Sequence, residues 1–289
     1  MHNTVNTPVE TGKEALNQPE MTTPARPEDA PHSAHKPARG EGYYIYGIIA
    51  TEQELEFGPM GIGARGDCVH FVRYQNLAAI VSASPIIKYA VTRANSMAHI
   101  KVLEKAMENY TVLPVRFCTI AENREIIIEK VLKARYQEFI DLLAKMEGKM
   151  EISVRARWTD LNAIFAEIVE EHHAIKVIKE ALLHEKNEQR KYAGKIKIGQ
   201  MVQKALEEKK KREANELLET LKPLSLEYKE NQIYGDMNLI NVAFLITREQ
   251  EHVFDLKMQE LEQAYGTRKQ LKYIGPVAPY NFVEVVVNW

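Results

Sequence analysis

Glu180, His184 and Glu188 stand at i, i+4 and i+8, a spacing that sets three zinc-ligating side chains along one face of a continuous helix. Asn187 weakens that helix, and such triplets arise by chance, so no metal site is assigned. His172 and His173 are adjacent, hence about 100° apart on a helix, and poorly placed to share one metal. His70, His99 and His252 read as packed or solvated residues. Cys118 has no C-x-x-C companion and reads as a small buried hydrophobe. The loop Phe57-Gly58-Pro59-Met60-Gly61-Ile62-Gly63 has the glycines of a phosphate cradle but neither G-x-G-x-x-G spacing nor a G-K-[ST] ending. G-x-S-x-G and H-E-x-x-H are missing too. No catalytic, cofactor or metal residue is assigned, and the chain reads as a protein that acts by contact.

The elements that position these residues follow from periodicity. Tyr43–Ile49 reads as a strand, and Cys68–Arg73 with Leu77–Ser82 as a hairpin turned at Tyr74-Gln75-Asn76. A helix over 94–109 carries Met97, Ile100, Leu103 and Met107 on its apolar stripe. Thr111–Phe117 is extended, with Pro114 placing it at an edge or bend. A second helix, 122–146, has Ile127, Val131, Leu132 and Phe139 inward and stops at Gly148.

The second half begins with a half-buried strand in which Ile152, Val154 and Ala156 alternate with polar residues. A helix capped by Thr159 or Asp160 follows, and another helix spans 188–221. Strands are expected at 224–229, 238–247, 271–275 and 282–287, with a helix over 248–265. Val242–Ile246 and Phe282–Val287 are apolar on nearly both faces and read as buried central strands. The order β-α-(α)-β-β-α-β is that of a split βαβ, or ferredoxin-like, sandwich. The fold class is therefore α+β, with an N-terminal α+β domain at 43–148 and a C-terminal ferredoxin-like domain at 149–289. The latter carries a helical arm at about 186–221. Within the arm, Glu207–Glu213 is polar on every side, so Lys209, Lys210 and Lys211 belong either to a solvated face or to an arm that engages a partner.

The chain has 289 residues, 45% hydrophobic and 27% charged, with a formal net charge of −2. Residues 1–42 hold four cationic against six anionic side chains, six of the twelve prolines and no aromatic residue. They read as a disordered tail that carries the whole excess charge. The rest is neutral, which gives no electrostatic case for nucleic acid or an anionic membrane. Two cysteines exclude a disulfide scaffold and fit a reducing cytoplasm. No apolar run approaches the ~18 residues of a membrane span.

Three segments remain: Tyr44-Ile45-Tyr46-Gly47-Ile48, Thr111-Val112-Leu113-Pro114-Val115-Arg116-Phe117 and Gly275-Pro276-Val277-Ala278-Pro279-Tyr280-Asn281-Phe282. In order and spacing they resemble the gas vesicle protein F/L family, over about Tyr43 to Val287. Cys118 stands where that family usually has glycine, and Ala278 where it usually has a second proline. The resemblance implies a cytoplasmic, non-enzymatic accessory or minor structural protein of gas vesicles. Its partners would be the main shell protein and other accessory proteins, with no cofactor. An α+β module that binds a small regulatory ligand is the alternative. The residues carried by the resemblance are Tyr46, Gly47, Leu113, Pro114, Arg116, Phe117, Gly275, Pro276, Pro279 and Tyr280, with either a structural or an interaction role.

Overall fold

The computed structural model describes residues 37–287. The expected disordered tail lies outside the described residues as far as 36. From Ala38 the chain is already tied down: its N–H donates to Glu41 Oε2 at 3.2 Å, and Glu41 pairs with Arg65 at 2.6 Å. The folded part thus starts a few residues before the expected boundary at Tyr43.

The first half comprises β1 (Glu41–Ala50), β2 (Glu56–Pro59), β3 (Cys68–Tyr74), β4 (Leu77–Pro85), α1 (Arg93–Met107) and β5 (Val112–Ala121). Its five strands form an antiparallel sheet in the order β2-β3-β4-β1-β5. β1 is apolar on both faces because both are covered. Tyr44, Tyr46 and Ile49 pack with Val102, Leu103 and Ala106 of α1, whereas Tyr43, Ile45 and Ile48 face the opposite core. A register shift between Ile45 and Gly47 makes this possible. The bulge inserts one residue into the alternation and returns Ile48 to the side of Ile45. α1 buries a stripe shifted from the expected one: Leu103 is buried and Met107 packs part-buried as expected, His99, Val102 and Ala106 are buried beside them, and Met97 is 42% exposed. The physical reason is Gly47, where a Cβ would lie 2.9 Å from Leu103 Cδ2. The helix descends onto β1 at that glycine, which turns the bulkier Met97 outward.

The expected helix over 122–146 is broken. α2 (Arg124–Ile126) runs into a π-helical stretch, Ile127–Lys133, and α3 (Tyr136–Met146) follows a non-helical Arg135. The wider turn keeps Ile127, Val131 and Leu132 all on the sheet, a role π-turns commonly take.

The second half contains β6 (Lys149–Trp158), α4 (Leu161–Glu171), α5 (His173–His184), α6 (Glu188–Leu221), β7 (Glu227–Glu230), β8 (Asn238–Thr247), α7 (Glu251–Tyr265) and β9 (Lys269–Val277). Its strands are antiparallel in the order β7-β8-β6-β9. Asp160 caps α4 through the N–H groups of Asn162 and Ala163. Ile152, Val154, Ala156 and Trp158 form one core with Ile164, Ile168, Leu217 and Phe254. Among the described residues the fold is thus mixed α/β, with two antiparallel sheets and seven helices.

The expected last strand over 282–287 does not form. A single parallel bridge joins Val285 to Val115, with Val285 N–H donating to Pro114 O and Arg116 N–H to Val285 O. Val283 and Val285 are buried in the core of the first half. Their apolar character reflects burial, as expected, but in a segment that crosses back to the first sheet.

Candidate functional site

The three segments singled out in the sequence converge on one aromatic cluster around His99. Tyr44 contributes from β1, Phe117 from β5 and Tyr280 from the segment after β9. Their ring centroids lie 5.7, 5.7 and 6.3 Å from the His99 ring. Tyr46 is fully buried beside them; its hydroxyl meets Ser82 Oγ at 2.9 Å and accepts the Ile62 N–H at 2.7 Å. Burial pushes the Tyr46 phenol up to about 12, and the Tyr44 and Tyr280 phenols upward as well. Tyr44 Oη accepts the Cys118 N–H at 3.0 Å and lies 3.0 Å from His99 Nδ1. The Tyr280 hydroxyl and His99 Nε2 are buried with no hydrogen-bond partner among the described residues. His99, 3% exposed, is pulled down to about 4 by desolvation and is neutral at pH 7.

The remaining family-motif residues serve this junction. Gly47 admits Leu103 and Leu113, the latter fully buried. Pro114 lies on β5, the outer strand of its sheet, and the carbonyl it presents outward accepts from the C-terminal segment. Its missing N–H therefore breaks no ladder. Arg116 is exposed and has no ion-pair partner among the described residues; its backbone N–H donates to Val285 O. Gly275 has φ +147, and a Cβ there would lie 2.9 Å from Glu151 O. Pro276 is exposed, whereas Pro279 is buried and its carbonyl accepts the Phe282 and Val283 N–H groups. Glu151, 2% exposed, accepts the Asn281 backbone N–H at 2.7 Å and its side-chain amide at 2.6 Å. Burial raises the Glu151 carboxyl, opposed by these two donors.

Cys118 has φ +66, in the left-handed region. This is the physical reason a glycine suits the position. Its sulfur accepts the Tyr89 N–H at 3.2 Å and thereby holds the loop after β4. Replacing it by glycine removes about 1–2 kcal/mol of backbone strain against a weak sulfur contact. We therefore expect Cys118→Gly to melt within a few degrees of the parent. Cys118→Val, β-branched at positive φ, should lose roughly 2 kcal/mol. A valine variant as stable as the parent in thermal melts would contradict this assignment.

The lysine triplet of α6 divides three ways. Lys211 is exposed, and Lys210 reaches Gly235 O at 2.8 Å. Lys209 is 3% exposed and lies 3.0 Å from Glu167 and 2.5 Å from Glu171. It is therefore on neither a solvated face nor a projecting arm. Glu213, one turn on, takes Arg268 at 2.6 Å, Lys269 at 3.0 Å and the Trp158 indole N–H at 2.9 Å. The segment is polar all round because α4, α6 and the start of β9 meet there through charges. Burial would raise the Glu213 carboxyl, but hydrogen bonds from Arg268, Trp158 and Lys269 hold it at about 2. Arg268 and then Lys209 hold Glu167 at about 2 as well. The sequence signal for this network was the i, i+4 pair Lys209–Glu213 in line with the buried Ala205 and Leu217.

Glu180, His184 and Glu188 do not share a helix, because α5 ends at His184 and α6 starts at Glu188. A cavity of about 260 Å³ lies between α6 and β8, lined by Ala214, Leu218, Ile233 and Leu239 among others. That is below the common range for ligand pockets, roughly 300–1,000 Å³.

Comparison with known proteins adds to this geometry. The chain is similar to gas vesicle protein F of Nostoc sp. (strain PCC 7120), 26% identical over 246 residues, which cover 84% of this chain and 98% of that protein. The crystal structure of GvpF from Anabaena sp. PCC7120 aligns with a TM-score of 0.72 at 26% identity, covering 85% of this chain and 99% of that one. For GvpF from Microcystis aeruginosa the TM-score is 0.67 at 26% identity, with 84% and 99% covered. The family described as gas vesicle synthesis protein GvpL/GvpF matches residues 42–284, and the chain belongs to that family.

Proposed function

We propose that this protein is a non-enzymatic accessory or minor structural component of gas vesicles. In this reading it works in the cytoplasm and at the vesicle, where it binds the main shell protein, assists nucleation or assembly and keeps that subunit from aggregating. Family membership over residues 42–284 is the observation that carries the reading. The three-segment cluster supports it: Tyr44, Phe117 and Tyr280 are committed to holding the two halves together around a neutral, buried His99. Other accessory proteins of the vesicle are the further partners, and nucleic acid and membrane are not among them.

The same reading divides the body into an N-terminal α+β domain, 43–148, and a C-terminal domain from 149. We infer a ferredoxin-like second domain from the position of β8 between β6 and β7 and from the wholly antiparallel order. The segment after β9 then straps it to the first domain.

Purified protein should bind the shell subunit and delay its aggregation, and its deletion should impair vesicle formation. Normal vesicles in the deletion strain, together with no binding and no effect on aggregation, would overturn the proposal.

A further inference from the structure

A long stretch of the described chain with little burial is the helical hairpin made by α5 and the first half of α6, residues 173–200. Ile175 is the only buried residue in it. The two helices meet at Gly194, where a Cβ would lie 2.4 Å from Leu182 Cδ2. Four large apolar side chains remain outside: Val177, Leu183, Tyr192 and Ile196, exposed by 46, 75, 68 and 47%.

The hairpin is also where positive charge collects. Residues 173–200 hold seven Lys or Arg against three Glu, a net +4 in a chain whose total is −2. Lys176 pairs with Glu170. Lys179, Lys186, Arg190, Lys191, Lys195 and Lys197 have no ion-pair partner among the described residues, unlike the matched charges around Lys209. The neutral body inferred from composition thus conceals a basic face.

Spacing gives that face a shape. Tyr192, Ile196 and Gly199 lie within about 60° of one another around α6, forming one outward row beside Lys195 and Lys191. A Cβ at Gly199 would meet nothing within 4 Å, so no packing inside the chain calls for glycine there. An exposed mid-helix glycine costs about 1 kcal/mol relative to alanine, yet it permits another backbone to come close. On α5, Val177 and Leu183 are six residues apart, about 120° around the helix. A flat bilayer therefore cannot take both with the α6 row, as an interfacial helix with one continuous apolar stripe would. Nucleic acid would satisfy the cations but leave Tyr192 and Ile196 uncovered.

We propose that the outer face of this hairpin docks an acidic amphipathic helix of another protein. The partner's apolar stripe covers Tyr192, Ile196 and Gly199, and its carboxylates face Lys191 and Lys195. The inference specifies the chemistry of the partner and does not depend on the shell-protein reading.

The test is fluorescence anisotropy of the full chain with a labelled helical peptide, leucine at i, i+3, i+4 and i+7 and glutamate elsewhere. A scrambled peptide of identical composition, phosphatidylglycerol vesicles and duplex DNA form the other arms. The patterned peptide should bind at least about tenfold more tightly than the scrambled one. Lys191→Glu/Lys195→Glu and Tyr192→Ala should each weaken binding by roughly tenfold or more. Gly199→Leu should weaken it as well, while leaving the melting temperature unchanged or higher, an outcome a purely structural glycine would not give. Equal binding of the two peptides, tighter binding to vesicles or DNA, or no binding of the patterned peptide would each overturn the proposal.

Discussion

Lys209→Glu should destabilise the protein by about 3–5 kcal/mol, the cost typical of removing one partner from a buried charge pair. Lys210→Glu and Lys211→Glu, on the same helix, should each change stability by no more than about 0.5 kcal/mol. Lys209 Nζ lies between Glu167 and Glu171 and is 3% exposed. A carboxylate there would crowd Glu167, Glu171 and Glu213, with Arg268, Lys269 and the exposed Arg212 left to balance them. For a body of this size the loss corresponds to a fall in melting temperature of roughly 10 °C, a large part of a typical stability of about 5–15 kcal/mol. Thermal melts of the three single variants decide the matter. Equal melting points would mean that Lys209 is solvated after all.

Acid should destabilise the protein in two separable stages. His99 titrates in the folded state at about 4, against an ordinary value of 6.5. Its folded value is depressed, so the stability it contributes is present above pH 6.5 and is lost as pH falls from 6.5 towards 4. The full difference is about 3 kcal/mol. The cause is geometric. Tyr44 Oη already accepts the Cys118 N–H, which leaves its proton for His99 Nδ1. An imidazolium would need an acceptor at both nitrogens, and Nε2 has none among the described residues. Glu167 and Glu213 act lower, because both are held at about 2. Their contribution is present above the unfolded carboxylate range and is lost as pH falls from about 4.5 to 2. His99→Phe should therefore flatten the stability profile between pH 6.5 and 4 and leave the lower stage in place. Denaturant titrations across pH check this, and an unchanged slope between pH 6.5 and 4 in the variant would exclude His99 as its source.

Much of the fold was legible locally. The hairpin β3–β4, the bounds of α6 and β8, and the Asp160 cap all follow from short-range patterns. The stripe of α1 is legible only in part, because Met97, which the fold exposes, is as apolar as the buried Val102 and Ala106. What selects the face is the space above Gly47, a property of another strand. The segment Phe282–Val287 reads as a strand because burial on both sides has the same signature whether or not a ladder forms. Its single bridge to Val115 depends on β5 presenting an open edge at Pro114.

The candidate site divides in the same way. Tyr44, Phe117 and Tyr280 could be named from the sequence, but their meeting around His99 spans residues 44 to 280 and has no local signal. Lys209 shows the limit most plainly, because a charged residue looks solvent-exposed until its counter-ions are located on other elements.

By itself, the sequence determined the composition of the body, the kinds and bounds of most elements, and the three segments by which the family is recognised. These depend on periodicity, caps and residue type, which act within a few residues. The tertiary structure alone decided which faces are buried, where the last segment docks, and that the +4 stretch 173–200 is left exposed as a hairpin. Burial and electrostatics act through space, so residues far apart in the chain fix them together.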